Sequence, residues 1–254
     1  MKPIELRSEL KRLAEAYSSE KNLPIDPSYK SAAIFREIGD NFFPASFKAI
    51  QANATWASRL EKQHQKVKWA KEMQSSNSSD ALLMNIFCHP KIGSWKGVSD
   101  LLGVTSVQPV FGEKPLVKKQ GTNGDATEID LALDGVFVEA KLTESDFTEK
   151  QAAAVEAYTD LEKHFCTDLL RRKGDSFENY QVIRNLLAAF QQGKRHLLLC
   201  DERRPDLARA YYETVTCLRD AKKRNRCGVI FWQEIARACG KDLAGYLAQR
   251  YGIR

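Results

Sequence analysis

The segment Thr127–Leu142, with the sequence TEIDLALDGVFVEAKL, gathers several residues that can do chemistry on two short stretches. Asp134-Gly135 is a strong signal for a two-residue β-hairpin loop of type I′, and it predicts how the flanking strands pair. In that register Asp130 lies directly opposite Glu139. Two facing carboxylates are suited to binding a metal ion, and a bound metal ion can activate water for hydrolysis.

The alternation of side chains along the two strands separates an apolar face from a polar face. The apolar face is predicted to hold Ile129, Leu131, Leu133, Val136, Val138 and Ala140, and the polar face Glu128, Asp130, Ala132, Phe137, Glu139 and Lys141. In this register Glu128 falls beside Lys141. Like charges directly opposite each other destabilise a sheet, so the Asp130–Glu139 pair indicates a bound cation.

Mg²⁺ or Mn²⁺ is the cation that this set of donors favours, because both ions prefer oxygen ligands. The predicted metal ligands are Asp130, Glu139 and the carbonyl of Ala140. Lys141 would orient a metal-bound water or stabilise negative charge on a phosphate. The alternative is a hairpin whose polar face is only hydrated, as in many antiparallel sheets.

Ile129-Asp130 is followed, after eight residues, by Glu139-Ala140-Lys141, and this spacing resembles the PD-(D/E)XK motif of nucleases with a restriction-endonuclease-like fold. Ile129 stands where the motif's name has proline, a position that varies widely in this superfamily. Other stretches resemble bacterial restriction endonucleases of the superfamily, namely Ser78–Phe87, Leu142–Phe147, Tyr180–Leu187 and Tyr251–Ile253. The resemblance covers residues 75–254.

The resemblance implies a mixed α/β (α+β) fold with an αβββαβ core, in which helices flank a mixed central sheet. It also implies a metal-dependent nuclease of restriction or defence type, most readily one that hydrolyses DNA. A further catalytic acid is expected on the helix before the first strand. Asp80 is the first candidate, Glu113 the second, Glu72 lies on the preceding helix, and Glu128 is a fourth acid. Two alternatives stay open: a nuclease acting on RNA, and an inactive nucleic-acid-binding or assembly module with the same fold.

Basic residues outside the hairpin are candidates for contacts with a nucleic-acid backbone. They are Lys118 and Lys119 in a glycine-containing loop, Arg184 on an amphipathic helix, and Lys222, Lys223 and Arg224 in the run RDAKKRNR. The same residues also fit an ordinary surface turn, a surface helix and a charged helix end.

The elements that must position the hairpin fall into two regions. Residues 1–75 predict a helical N-terminal extension, with one long helix from Pro44 to Met73, and residues 76–254 predict the nuclease-like domain. Strands are predicted at 104–111, 128–133, 136–142, 196–200 and 228–232. Helices are predicted at 80–87, capped by Ser79 or Asp80, and at 95–102, 149–170, 180–190, 205–223 and 233–251.

Composition narrows the class of protein. With 254 residues, 43% hydrophobic and 28% charged, the chain is too apolar for a disordered protein. No apolar run approaches the ~18 residues of a membrane-spanning helix. The six cysteines form no CxxC pair, so reduced thiols in a cytoplasmic protein are expected. The net charge of +6 agrees with a polyanionic partner, and the resemblance implies DNA as that partner and a homodimer as the assembly.

Overall fold

A computed structural model describes all residues from 1 to 254. Apolar strands form a central sheet, which is the middle of three layers, with helices packed on both of its faces. The helices are α1 (Pro3–Lys21), α2 (Pro44–Ala52), α3 (Ala54–Arg59), α4 (Ser79–Phe87), α5 (Lys96–Leu102), α6 (Ala152–Glu156), α7 (Leu161–His164), α8 (Tyr180–Gln191), α9 (Pro205–Thr216), α10 (Ala221–Arg224), α11 (Trp232–Ala238) and α12 (Lys241–Tyr251). Short 3₁₀ turns are found at Ile38–Asn41, Glu72–Gln74, Ile92–Ser94 and Thr167–Leu169. The strands are β1 (Ile25–Asp26), β2 (Ile34–Phe35), β3 (Val110–Glu113), β4 (Leu116–Val117), β5 (Asp125–Ala126), β6 (Ile129–Leu133), β7 (Val136–Ala140), β8 (Lys150–Gln151), β9 (Arg172–Lys173), β10 (Ser176–Phe177), β11 (Arg195–Cys200) and β12 (Cys227–Phe231).

The central sheet has five strands in the order β12-β11-β7-β6-β3. Strands β3, β6 and β7 form an antiparallel meander, and β11 and β12 then add in parallel to β7 and to each other. The chain passes from β7 to β11 through α8, because parallel neighbours need a crossover connection. This mixed sheet with flanking helices confirms the predicted fold class.

Both faces of the sheet are buried. Leu197 and Leu199 of β11 pack in one core with α4, α5, α11 and α12, while Leu198 and Cys200 pack in a second core with α8 and α9. The prediction of a polar outer face on the β6–β7 hairpin is therefore wrong for Ala132 and Phe137, which are buried in the second core. Ile129 also packs there, so it does not share a face with the hairpin's other apolar residues.

The predicted register of the hairpin is confirmed over its first three pairs, from Leu133↔Val136 to Leu131↔Val138. The predicted turn type is wrong, because Gly135 alone has a positive φ, of 70°, whereas a type I′ turn needs two such residues. Beyond the third pair the ladder ends, so Asp130 and Glu139 are not a paired rung. An Asp130 carboxylate oxygen instead accepts a hydrogen bond from the Ala140 amide at 2.8 Å.

Several predicted helices are shorter than their apolar spacing suggested. The helix from Pro44 ends at Ala52, because the Asn53 side chain accepts hydrogen bonds from two amides and caps a new helix. The stretch 149–170 is divided between β8, two short helices and a 3₁₀ turn, and the predicted helices at 205–223 and 233–251 are each split in two. Ser78, rather than Ser79 or Asp80, caps α4. The first predicted strand is shifted and begins only at Val110.

The N-terminal segment packs into the first core. Leu6 and Leu10 of α1 are fully buried there, together with residues of α12 and of the sheet. The predicted boundary at residue 75 stays a prediction, and residues on both sides of it share this one core. The six cysteines are free thiols. None of the helices combines the length and the hydropathy that crossing a bilayer requires.

Acid should destabilise the protein through His196 on β11. This side chain is buried, and its Nε2 has no hydrogen-bond partner. Burial lowers the pKa of His196 from 6.5 to about 3. Below about pH 6.5, His196 is therefore protonated in the unfolded chain but stays neutral in the folded protein. The free energy of unfolding decreases as the pH falls through this range. Relative to His196→Leu, the parent should lose about 1.4 kcal/mol more unfolding free energy per pH unit between pH 6 and 4. Urea unfolding at several pH values measures this difference, and equal slopes would contradict it.

Candidate active site

A polar cleft of about 300 Å³ opens where the β6–β7 ladder ends. Its walls come from β6, β7, the N-terminus of α4, the first half of α8 and the segment that precedes α4. Its charged residues are the carboxylates Glu72, Asp80, Glu128, Asp130, Glu139 and Glu144 and the cations Lys62, Lys141 and Arg184. Six carboxylates thus face three cations, and the cleft has an excess of negative charge.

Glu139 and Lys141 form a buried ion pair at the end of β7, with 2.7 Å between Nζ and Oε1. Asn185 of α8 donates a hydrogen bond of 2.6 Å to the other carboxylate oxygen of Glu139. Lys141 also donates to Oε1 of Gln181 at 3.0 Å. Burial opposes the charge of Lys141, but the nearby carboxylates, Glu139 first, outweigh it and raise the pKa of the ammonium group. Lys141 is therefore held charged and in one orientation.

Among the acids of the cleft, Asp130 has the surroundings that are least favourable for an ionised carboxylate. Burial, together with the carboxylates of Glu139 and Asp80, raises the pKa of Asp130 well above its ordinary value. Lys141 and the hydrogen bond from the Ala140 amide oppose that rise only in part. A positive charge beside Asp130 would relieve this repulsion.

Asp80 and Glu128 are held by two cations from the N-terminal segment. Lys62 lies 2.8 Å from Asp80, and the guanidinium of Arg59 reaches both Asp80, at 3.5 Å, and Glu128, at 3.4 Å. Arg59 can pass over the edge strand because residue 112 is glycine: a Cβ there would collide with the guanidinium. The predicted neighbour of Glu128, Lys141, pairs with Glu139 instead.

The structure brings together all five predicted catalytic residues, along with Ala140 and Arg184, as walls of this one cleft. Of the other candidate acids, Glu72 lines the cleft, whereas Glu113 lies outside it and pairs with Lys194 at 3.6 Å.

The remaining predicted basic contacts lie elsewhere. The Lys118 amide donates to Gln191 at the far end of α8, and the adjacent Lys119 lies outside the cleft. The basic residues of α10, which are Lys222, Lys223 and Arg224, precede the first residue of β12. That places α10 at the opposite end of the sheet from the cleft. Lys118 and Lys119 therefore do not line the cleft, and the basic residues of α10 lie far from its carboxylates.

Four contributors to the cleft were not predicted in their roles. Arg59 and Lys62 precede the resemblance and carry no motif. Gln181 and Asn185 lie one helical turn apart on α8, so they face the same side of that helix. Asn185 did carry a signal, because a polar residue within the apolar run VIRNLLAAF is buried only when it has a partner.

Asp130, Glu139 and Ala140 line the cleft together, and their carboxylate and carbonyl oxygens are the donor type that suits Mg²⁺ or Mn²⁺. In this structure no three acidic, histidine or cysteine side chains converge as a ready-made metal site. Mg²⁺ commonly uses one or two carboxylates and keeps several waters, so two carboxylates and a carbonyl are sufficient. The raised pKa of Asp130 also marks a place where a cation would be stabilising. The residues present therefore fit such an ion.

Comparison with protein families gives one match. Residues 11–252 match the model of a family described as restriction endonuclease associating with ARP. Searches of curated proteins and of solved structures found no match. The match includes most of the N-terminal segment, with Arg59 and Lys62, as well as the hairpin.

Proposed function

The chain belongs to the family of restriction endonucleases associating with ARP, which are restriction-type nucleases with a nucleic-acid substrate. From this premise we propose that the protein is a Mg²⁺- or Mn²⁺-dependent endonuclease of the PD-(D/E)XK type that hydrolyses phosphodiester bonds in DNA. The observation that carries the proposal is the convergence of Asp130, Glu139 and Lys141 in one polar cleft.

Asp130, Glu139 and the carbonyl of Ala140 would hold the metal ion, which would supply a water of lowered pKa and charge stabilisation at the phosphate. Lys141, held charged between Glu139 and Gln181, orients the attacking water and offsets negative charge that develops on the phosphate. Asn185 fixes the orientation of the Glu139 carboxylate. In this proposal Asp80 is the additional catalytic acid: it lies on α4, which precedes β3 with α5 between them, and it lines the same cleft.

A substrate panel tests this function directly. Plasmid, linear duplex, single-stranded DNA and single-stranded RNA are each incubated with the protein in Mg²⁺, Mn²⁺ or chelator. We expect cleavage of DNA that depends on a divalent ion and stops in chelator. Cleavage of RNA alone would replace the substrate but keep the reaction class. No cleavage in any arm, or cleavage that chelator leaves unchanged, would contradict the proposal.

A second candidate function is an inactive nucleic-acid-binding module. The ion pairs favour it, because Lys141, Lys62 and Arg59 already neutralise much of the acidic charge without a metal. This candidate predicts binding of nucleic acid in chelator, no binding of Mn²⁺ at Asp130 and Glu139, and no cleavage.

The homodimer stays a prediction that analytical ultracentrifugation can test.

Asn185 is expected to act as a positioning residue for the metal ligand Glu139. Its amide bridges Thr127 Oγ1, at 2.7 Å, and Glu139. Outer partners of metal ligands of this kind typically contribute about 10–100-fold to metal affinity. Asn185→Leu should therefore weaken Mn²⁺ binding by about that factor in calorimetric titration. Gln192→Ala, at the exposed end of the same helix, is the control and should bind Mn²⁺ as the parent does. Unchanged affinity in Asn185→Leu would argue against the positioning role.

A further inference from the structure

A second polar cavity, of about 290 Å³, adjoins the cleft that holds Asp130 and Glu139. The two share Gln65, Glu72 and Glu144 as lining residues, so they form one continuous groove. The outer cavity lies between α1, the loop after β1, the turn at 64–66 and the chain that follows β7. The proposed function assigns no role to it.

The outer cavity offers cations that the protein itself does not neutralise. Arg7 of α1 donates one hydrogen bond, to the Thr143 carbonyl at 2.9 Å, and lies within ion-pair distance of no carboxylate. Lys66 is exposed and has no ion-pair partner. The acids of this cavity, Glu72 and Glu144, lie on the side shared with the inner cleft. The groove therefore runs from an acidic inner end to a basic outer end.

The outer cavity also offers an aromatic ring in a fixed place. Tyr29 is half-buried and meets the His64 ring edge-on, with 5.4 Å between ring centroids. Lys11 of α1 donates to the backbone carbonyls of Pro27 and Tyr29, at 2.6 and 3.0 Å, which fixes the loop that carries the ring. His64 is fixed as well, because its Nδ1 accepts hydrogen bonds from the Lys66 and Val67 amides.

An aromatic ring and two cations that line one cavity, next to the proposed site of phosphodiester hydrolysis, match the chemistry of one nucleotide. The ring can stack on a base, and Arg7 and Lys66 can contact its phosphates. The Tyr29 ring reaches the face of a base when no neighbouring base covers that face, as in a flexible single strand. The volume of about 290 Å³ is at the lower limit of ordinary ligand sites and suits one nucleotide.

We propose that this cavity binds the nucleotide adjoining the scissile phosphate, and that the protein therefore acts on an unpaired strand or an unpaired end. The inference rests on the proposed function for the position of the scissile phosphate. The binding itself does not depend on catalysis. In this way Arg7, Tyr29 and Lys66 of the N-terminal segment select the substrate that is cleaved in the adjoining cleft.

Fluorescence anisotropy with labelled oligonucleotides in chelator tests the cavity without cleavage. The probes are single-stranded DNA, single-stranded RNA and the blunt duplex of the same DNA sequence. The parent should bind a single strand at least about fivefold more tightly than the duplex, and Tyr29→Ala should lose at least about fivefold of that affinity. Tyr29→Phe, which keeps the ring, should bind as the parent does. Lys66→Ala should weaken binding and lower its salt dependence, whereas the exposed Lys68→Ala, outside the cavity, should not.

The outcomes separate this inference from the proposed function. Suppose that single-strand binding depends on Tyr29 but that no cleavage occurs in metal. This result supports nucleotide binding in the cavity and contradicts the proposed nuclease function. Suppose instead that cleavage depends on metal, but that duplex and single strand bind equally tightly or that Tyr29→Ala loses no affinity. This result contradicts nucleotide binding in the cavity and leaves the nuclease proposal intact. Tighter binding of RNA than of DNA would keep the cavity and assign it to RNA. Thermal melts of each variant confirm that its fold is intact.

Discussion

Lys141→Ala should reduce the rate of DNA cleavage by about a hundred- to ten-thousandfold. The reason is that Lys141 is buried in the cleft, charged, and fixed by Glu139 at 2.7 Å and Gln181 at 3.0 Å. No other ammonium group is held by these two partners. The effect should appear in single-turnover cleavage at saturating protein, because a loss in the chemical step persists when binding is complete. Binding of DNA in chelator should change far less than the rate does.

Folding must be controlled, because the same lysine compensates the buried Glu139. Removing one partner of a buried pair costs about 3–5 kcal/mol, so Lys141→Ala is compared with Lys141→Met, which keeps most of the side-chain volume. Both variants are assayed below their melting temperatures and in metal. Lys222→Ala, on α10 at the opposite end of the sheet, should cleave as the parent does. Rates within threefold of the parent in both Lys141 variants would rule out a catalytic role.

Divalent metal should raise the melting temperature by roughly 5–10 °C at a hundredfold excess over its dissociation constant. That shift corresponds to about 2.7 kcal/mol of linked stabilisation in a chain of this size. The physical reason is the acidic excess of the cleft, in which burial, Glu139 and Asp80 together raise the pKa of Asp130. At neutral pH a bound cation offsets the cost of keeping Asp130 ionised. Melts in Mn²⁺, Mg²⁺ and chelator measure the shift.

Asp130→Asn should abolish most of this metal response while keeping the shape of the side chain. In chelator the variant should melt at or above the parent, because a raised pKa means that the ionised carboxylate costs folding free energy. Asp134→Asn is the matched control: it makes the same change at the exposed hairpin turn and should respond to metal as the parent does. A parent without a metal-dependent shift at millimolar concentration would contradict the metal site.

Much of the site could be predicted from the sequence because Asp130, Glu139 and Lys141 lie close together in the chain, on one hairpin. A two-residue turn fixed the pairing of Leu131 with Val138, and that pairing placed Asp130 near Glu139 and Lys141. A continuous apolar run likewise located the buried strand β11, and the helical spacing of apolar residues located the amphipathic helix α8. Side chains repeat every two residues in a strand and every 3.6 in a helix, so the positions that share a face can be predicted locally. The burial of Ala132 and Phe137, and the place of Ile129 in the second core, required the fold.

Only the tertiary structure decided what surrounds those residues. Arg59 reaches Glu128 across 69 positions of sequence, Lys141 meets Gln181 across 40, and Glu139 meets Asn185 across 46. Such contacts depend on how separate elements pack, and neither periodicity nor spacing along the chain contains that information. The hairpin's own residues therefore followed from the sequence, whereas the N-terminal wall of the cleft, with its adjoining cavity, required the fold.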